Sequence, residues 1–351
     1  MSLKIKYKIA FIILLSVYLS GNQEFKLVEK WHHDDIMSGI LFDAVVDQDG
    51  DLITAFQKAG VIIANAKKIE EFAPFGQGPN DLDGFFTLCF YKGDLAVEGM
   101  AGKLKVFHKK EGKYSWKQTI WKKFGITYHH VKDGQFAAGK WFFSGPQVFP
   151  IGKNKFSMYY VNVYEEDGKI IKSLLRKDFK KSEAFPFNLL EYYIEKHKGN
   201  IYFIAENEPV IKIISPQSLK VMREIKLEMP AFYRPMPEEN YRDKKKNKRM
   251  DEFEIQKKWA EWKTNYSRIC RTAVDGNQLV LQIRTSAKAL KRYALLLYNV
   301  ETFKLDRTVM TDDLLLAVKD KKYYMFANGN PAYDDEAGEY IINIYQFKDK
   351  K

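Results

Sequence analysis

FDAVVDQDGDLITAFQKAGVIIANAKKIEEFAPFGQGPNDLDGFF, residues Phe42–Phe86, is the stretch whose reading decides the fold. Val45-Val46 and Leu52-Ile53 flank Asp47-Gln48-Asp49-Gly50-Asp51. Asp-Gly between two apolar runs predicts a tight hairpin, because glycine reaches positive φ without steric cost. Val61-Ile62-Ile63 follows Gly60 as a third strand, and Ile69 to Phe72 supplies a fourth. The glycine loop Phe75-Gly76-Gln77-Gly78-Pro79-Asn80-Asp81-Leu82 then leads onward. Four short antiparallel strands cannot bury both faces of their sheet, so this unit needs copies of itself on either side.

The copies are present. Lys92-Gly93-Asp94-Leu95 repeats the turn about 43 residues on. Gly152, ahead of Phe156-Ser157-Met158-Tyr159-Tyr160, stands in the same role in the third unit. Lys198-Gly199-Asn200, Asp275-Gly276-Asn277 and a weaker Asp320-Lys321-Lys322 follow, which makes six units. The spacing into the third unit is stretched, and Gly139 to Pro146 reads as an extra hairpin there. Third strands fall at Leu104 to Phe107, Val161 to Tyr164, Val210 to Ile214, Leu295 to Val300 and Ile341 to Tyr345. Fourth strands follow in units two to five. The sixth has none, but Phe25 to Trp31 lies spare at the other end and reads like one. Pairing it with the last unit closes a ring and removes an exposed strand edge. The expected fold is therefore all-β: a six-bladed β-propeller over residues 22–351, with the N-terminal strand closing the last blade. One helical insertion is expected between blades four and five.

Phe75, Gly76, Gly78, Pro79 and Leu82 match the Phe-Gly-x-Gly-Pro-Gly-Glu-Leu/Phe signature of the secreted bacterial six-bladed β-propeller family, which the chain resembles within the wider NHL or TolB-like group. Asn80 and Asp81 stand where that signature has Gly and Glu, and the signature occurs once. The resemblance implies the fold over most of residues 25–348. It implies no activity, since a fold does not carry one with it.

The termini and composition add a cellular setting. Lys4, Lys6 and Lys8 precede the apolar run Ile9 to Leu19 and then Ser20-Gly21, the pattern of a secretory signal peptide over residues 1–21. A run of eleven residues is too short for a membrane span, which takes about 20. Asn22 stands where a lipoprotein would need its acylated Cys, so a periplasmic or extracellular protein without a lipid anchor is expected. The chain is 46% hydrophobic, with 25 Phe and 21 Tyr, enough for a large core. Its net charge of +12 is spread over strand edges and turns rather than interleaved with exposed aromatics, and export argues against a nucleic-acid partner. Cys89 and Cys270 fall in units two and five, on opposite sides of a six-fold ring and beyond the ~7 Å reach of a disulfide, so two free, buried thiols are expected.

The insertion runs from about 235 to 268. After the polar Lys244 to Arg249, Asp251 and Glu254 resemble a capping box, and Ile255, Trp259, Trp262 and Tyr266 recur on one helical face. That stripe is expected to dock a helix onto the propeller.

Few motifs carry chemistry. Asp47-Gln48-Asp49-Gly50-Asp51 resembles a calcium loop, but its Gly is fourth rather than sixth and Lys58 occupies the twelfth position, so it reads as a hairpin turn. The glycine loop is followed by strand-like Phe85 to Phe90 and not by a helix, which argues against a phosphate cradle. Two His doublets, His32-His33 and His129-His130, fall in inter-strand segments; His108 and His197 read as turn or surface residues. No Gly-x-Ser-x-Gly elbow is present.

The leading expectation is a monomeric, non-enzymatic binding protein or scaffold that recognises a protein, peptide or glycan through loops around one channel mouth, without a cofactor. Gln77, Asn80, His129, Arg271 and Asn328 are the expected ligand-binding residues, with Trp141 available for stacking. The alternative is a lactonase-like or lyase-like propeller hydrolase or lyase. It would hold calcium or zinc in the channel through His33, Asp34 and His130.

Overall fold

The computed structural model describes residues 24–36, 41–56, 59–74, 76, 81–82, 87–99, 102–122, 131–153, 155–180, 190–235, 257, 260–261, 264–286, 291–327 and 338–347. The chain enters with β1 (Phe25–Ile36). Blade one is β2 (Leu41–Val46), β3 (Leu52–Phe56), β4 (Gly60–Ala64) and β5 (Ile69–Ala73). Blade two is β6 (Thr87–Tyr91), β7 (Asp94–Glu98), β8 (Lys103–Lys110) and β9 (Lys113–Trp121). Blade three is β10 (Asp133–Ala137), β11 (Lys140–Gly152), β12 (Lys155–Glu165) and β13 (Ile170–Lys180). Blade four is β14 (Tyr192–His197), β15 (Asn200–Ala205), β16 (Glu208–Ser215) and β17 (Lys220–Lys226). Blade five is β18 (Arg268–Asp275), β19 (Gln278–Arg284), β20 (Tyr293–Asn299) and β21 (Leu305–Thr311). Blade six is β22 (Leu314–Lys319), β23 (Lys322–Phe326) and β24 (Gly338–Phe347), completed by β1.

Burial explains this arrangement. β3 and β4 are buried at every position, because neighbouring blades cover both faces of the sheet, and their sequences are near-continuous apolar runs. The outer strand β17 is exposed almost throughout and reads Lys-Val-Met-Arg-Glu-Ile-Lys. The cores lie between blades: Ile53, Val61, Leu88 and Phe107 join blades one and two, and Val106, Phe136, Trp141 and Tyr164 join two and three. The first strand of each blade lies innermost, and β2, β6, β10, β14, β18 and β22 neighbour one another around the channel.

Ring closure is as the spare N-terminal strand predicts. β1 pairs antiparallel with β24 from Phe25↔Phe347 to His33↔Tyr340, and the Phe25 ring stacks on Tyr345 with centroids 4.6 Å apart. The Lys319 ammonium donates to the Asp47 carbonyl, tying blade six to blade one.

Two expectations are corrected. The elements among the described residues are all strands, so the helical insertion between blades four and five is not seen. Lys257, Ala260, Glu261, Thr264 and Asn265 have helical backbone but form no described helix, Ile255, Trp259 and Trp262 lie outside the described residues, and Tyr266 is a bend. Helical spacing in a sequence is not a helix. A segment of about a dozen residues is marginal unless packing holds it. The described ends of the insertion are instead pinned together by Ser267 N–H donating to Arg234 O at 2.7 Å and Arg234 N–H to Ser267 Oγ at 3.0 Å.

The hairpin of the third unit is also misplaced. It is Ala138-Gly139, with φ of 49° and 74°, and not Gly152, which ends β11. β11 is 13 residues long, so the glycine chosen by period falls one connection too late.

Candidate binding site at the channel mouth

The two ends of the channel differ. At one end each inner strand turns tightly into the second strand of its blade. Lys92-Gly93, Ala138-Gly139, Lys198-Gly199 and Asp320-Lys321 have positive φ at both central residues, the geometry whose twist matches a hairpin. At the other end the connections between blades enter, and there the inner strands begin. This second end is the mouth.

Four charged side chains from four inner strands gather in the channel. Asp43 of β2 accepts the N–H of Leu88 at 2.7 Å and the hydroxyl of Thr87 at 2.9 Å, both from β6, and its own neighbour Ala44 N–H at 2.8 Å. Asp133 of β10 repeats the device, accepting Ile194 N–H of β14 at 2.8 Å and Gly134 N–H at 2.6 Å. An aspartate at the head of an inner strand thus binds the next blade to its own. Glu195 of β14 accepts the Thr272 hydroxyl of β18 at 2.6 Å. Arg271 of β18 donates to the Phe42 carbonyl at a long 3.4 Å, and its Nε is buried with no partner among the described residues.

Each of these four residues is half-buried. Burial lifts the Asp43 carboxyl above its ordinary range, against the Leu88 N–H bond and the charge of Arg271. Burial lifts Asp133 well above that range, and the charges of Asp43 and Glu195 add to the effect. Burial also pushes Glu195 up to about 7, with Asp43 contributing. Three carboxyls and one guanidinium in one channel can orient a polar ligand, and Glu195 can exchange a proton near neutral pH.

The thiols are suited to packing. Cys89 and Cys270 are free, as expected. Burial raises the Cys89 thiol far above its ordinary range and pushes Cys270 up to about 11, so neither is a ready nucleophile.

Of the residues expected to bind ligand, Arg271 stands in the channel. Gln77, Asn80, His129 and Asn328 lie outside the described residues, as does His130; the described strand ends that flank them are at the mouth. Trp141 does not face the mouth. It is 1% exposed, stacks on Tyr91 with centroids 4.8 Å apart and donates its indole N–H to the Glu166 carbonyl at 3.2 Å. Its place is the junction of blades two and three.

Of the residues of the metal alternative, His130 lies outside the described residues. His33 Nε2 stands 3.1 Å from the Asn65 carbonyl, Asp34 is in β1, and no group of three or more His, Cys, Asp or Glu among the described residues is arranged to hold a metal. His108 instead pairs with Asp94, with Nδ1 2.6 Å from Oδ1. The described ends of the glycine loop are tied together: Gly76 N–H donates to Leu82 O at 3.0 Å and Leu82 N–H to Pro74 O at 2.8 Å. A Cβ on Gly76 would strike the Asp81 carboxylate.

Asp43, Asp133 and Glu195 escape a motif search because each sits singly in its strand. A usable signal was present in Phe42-Asp43-Ala44-Val45-Val46, where one acid stands at the head of an apolar run that can only be buried.

No known family profile matches the chain, and no curated protein matches it. Solved structures do. A member of the DUF4221 family from Bacteroides vulgatus superposes with a TM-score of 0.58 at 11% identity, covering 93% of this chain and 99% of that one. A candidate exported protein from Bacteroides fragilis gives 0.57 at 10% identity, covering 93% and 95%. Likeness at this identity shows the fold and nothing finer.

Proposed function

We propose that this chain is an exported, non-enzymatic propeller that binds a protein, peptide or glycan partner at the mouth of its channel, as a monomer. One observation supports the reading above the others. Charged side chains of the inner strands of blades one, three, four and five meet in the channel. Loops on a rigid ring are where a propeller gathers recognition. Arg271 supplies a directed donor, and Glu195 and Asp133 supply acceptors or, when protonated, donors. Residues 1–21 act as the export signal, with Asn22 in place of a lipid-modified Cys. Gln77, Asn80, His129 and Asn328 are assigned to the same mouth by their place in the chain, and no resident metal or other cofactor is assigned.

The test is capture from an envelope extract on immobilised wild type, on Arg271→Met and on Asn80→Ala, with Lys198→Ala at the opposite end as control. A partner retained by wild type and Lys198→Ala and lost by the mouth variants supports the reading. Equal retention by all four overturns it. A saturable rise in melting temperature with calcium or zinc on metal-stripped protein would replace it with the metal-dependent enzyme.

A further inference from the structure

Three buried donors on the neighbouring inner strands β14 and β18 have no acceptor. Tyr193 of β14 is 7% exposed, and its hydroxyl makes no hydrogen bond among the described residues. Arg268 and Arg271 of β18 each bury an Nε–H that is likewise without a partner there. A β-bulge between Ile269 and Arg271 separates the two arginines, a device that re-aims side chains beside functional sites. The three groups act on one another: the charge of Arg271 is felt by the Tyr193 phenol, and the phenol by Arg268. A buried donor without an acceptor costs its full desolvation, so folded proteins keep few of them. Three on two adjacent strands call for an acceptor.

The nearby acids do not supply it. Glu206 is fully buried; one carboxylate oxygen accepts Arg268 Nη1 and the other accepts the Glu191 N–H at 2.9 Å. Its carbonyl accepts the Ile269 N–H at 2.9 Å. Glu206 is therefore fixed in place, and its charge balances Arg268. Glu191 is paired with Lys132 at 3.2 Å. Arg271 has no such counterpart. Its Nη1 stands a long 3.4 Å from the Phe42 carbonyl, and its charge reaches Asp43 through space without an ion pair. A guanidinium only donates, so the group that completes it must accept, and an anionic oxygen accepts most strongly. Asp43, Asp133 and Glu195 share the channel, and their repulsion favours a singly charged carboxylate over a doubly charged phosphate.

We propose that Arg271 and Tyr193, with Arg268 beside them, form a recognition site for the C-terminal carboxylate of a peptide. The planar fork of a guanidinium matches the two oxygens of a carboxylate, and the phenol adds a further bond. A C-terminal carboxylate leads its chain, so it reaches donors set on inner strands while the rest of the peptide stays at the loops. A sugar acid carries its carboxylate beside a bulky ring. This inference rests on the reading that the partner binds at the mouth, and it names the group that the partner inserts.

The test is ligand-observed NMR with N-acetyl-trialanine, as the free acid and as the C-terminal amide, on wild type, Tyr193→Phe, Arg271→Met and Lys198→Ala. The acid is expected to bind wild type and Lys198→Ala alike, and the amide at least tenfold more weakly. Acid binding should fall at least fivefold in Tyr193→Phe and tenfold in Arg271→Met. Tyr193→Phe removes only a hydroxyl without a partner, so its melting temperature should match or exceed that of wild type, which separates lost binding from lost folding. Equal binding of acid and amide, no binding of the acid to wild type, or unchanged acid binding in both variants overturns the proposal and leaves these donors to solvent. Tighter binding of glucuronate or inorganic phosphate than of the acid overturns it as well, as does a lowered melting temperature of Tyr193→Phe. If acid binding ignores both variants while partner capture is still lost with Asn80→Ala, the site falls and the mouth reading stands. Acid binding that follows the expected pattern, with a partner captured equally by all variants, removes the mouth reading and keeps the site.

Discussion

Lys109 Nζ of blade two stands 2.7 Å from Asp47 Oδ2 in the first hairpin of blade one. The same ammonium is 2.7 Å from Asp49 and 2.8 Å from Asp51, and Tyr114 donates its hydroxyl to Asp47 at 2.9 Å. The loop whose acids resemble a calcium site thus holds a cation, and that cation is a tethered lysine from the next blade. Burial opposes the charge on Lys109, but its bonds to Asp47, Asp49 and Asp51 outweigh burial and hold the ammonium above its ordinary range.

Lys109→Met leaves Asp47, Asp49 and Asp51 facing one another without their counter-charge. The expected loss is about 3–5 kcal/mol, the cost of breaking a buried pair from one side. Millimolar calcium, a hard cation that prefers oxygen ligands, should recover part of the loss in the variant and leave wild type unchanged. Urea melts of both proteins with and without calcium check this. A loss under 1 kcal/mol would mean the cluster is already solvated.

Glu195 makes stability depend on pH. Its carboxyl is raised from an ordinary 4.5 to about 7, so the folded state holds a proton that the unfolded chain releases earlier. Stability from this group is whole below about pH 4.5 and declines as pH rises through 7, by up to ~3 kcal/mol. Thermal melts at pH 5.5 and 8 should show wild type losing more than Glu195→Gln across that interval. Parallel curves would show that Glu195 does not titrate there.

Closure by β1 predicts that Phe25 matters despite its place near the terminus. Phe25→Ala removes a ring packed on Tyr323, Tyr345 and Phe347 and should cost about 2 kcal/mol, less than a fully buried Phe. Deleting β1 bares the edge of β24 and should cause aggregation. Equilibrium unfolding and light scattering report the two effects, and an unchanged midpoint for Phe25→Ala would argue against closure.

Trp141 separates packing from binding. Trp141→Ala should cost about 3–5 kcal/mol, because it opens a cavity against Tyr91, Phe136 and Phe143. Trp141→Phe should recover most of that stability. Partner capture by Trp141→Phe should match wild type, and a selective loss of capture in a stable variant would return Trp141 to the binding surface.

What the sequence determined alone is the ring. Asp-Gly and Lys-Gly turns between β-branched runs specify local hairpins, and the unpaired Phe25 to Trp31 specifies closure, because both depend on neighbours in the chain or on one missing strand. Local spacing misled where a feature depended on packing. Gly152 had the right type for a hairpin, but Ala138-Gly139 makes the turn, since pairing of Phe136 with Trp141 sets the register. Ile255, Trp259, Trp262 and Tyr266 have helical spacing, but spacing alone does not make a helix, and no helix is described there. The channel cluster was legible only in part, through Arg271. Asp43, Asp133 and Glu195 are separated by some 60 to 90 residues in sequence, and each looks like an ordinary strand-edge acid. Only the closed ring brings them into one channel, where burial lifts all three carboxyls and the charges of neighbouring acids add to the lift of Asp133 and Glu195.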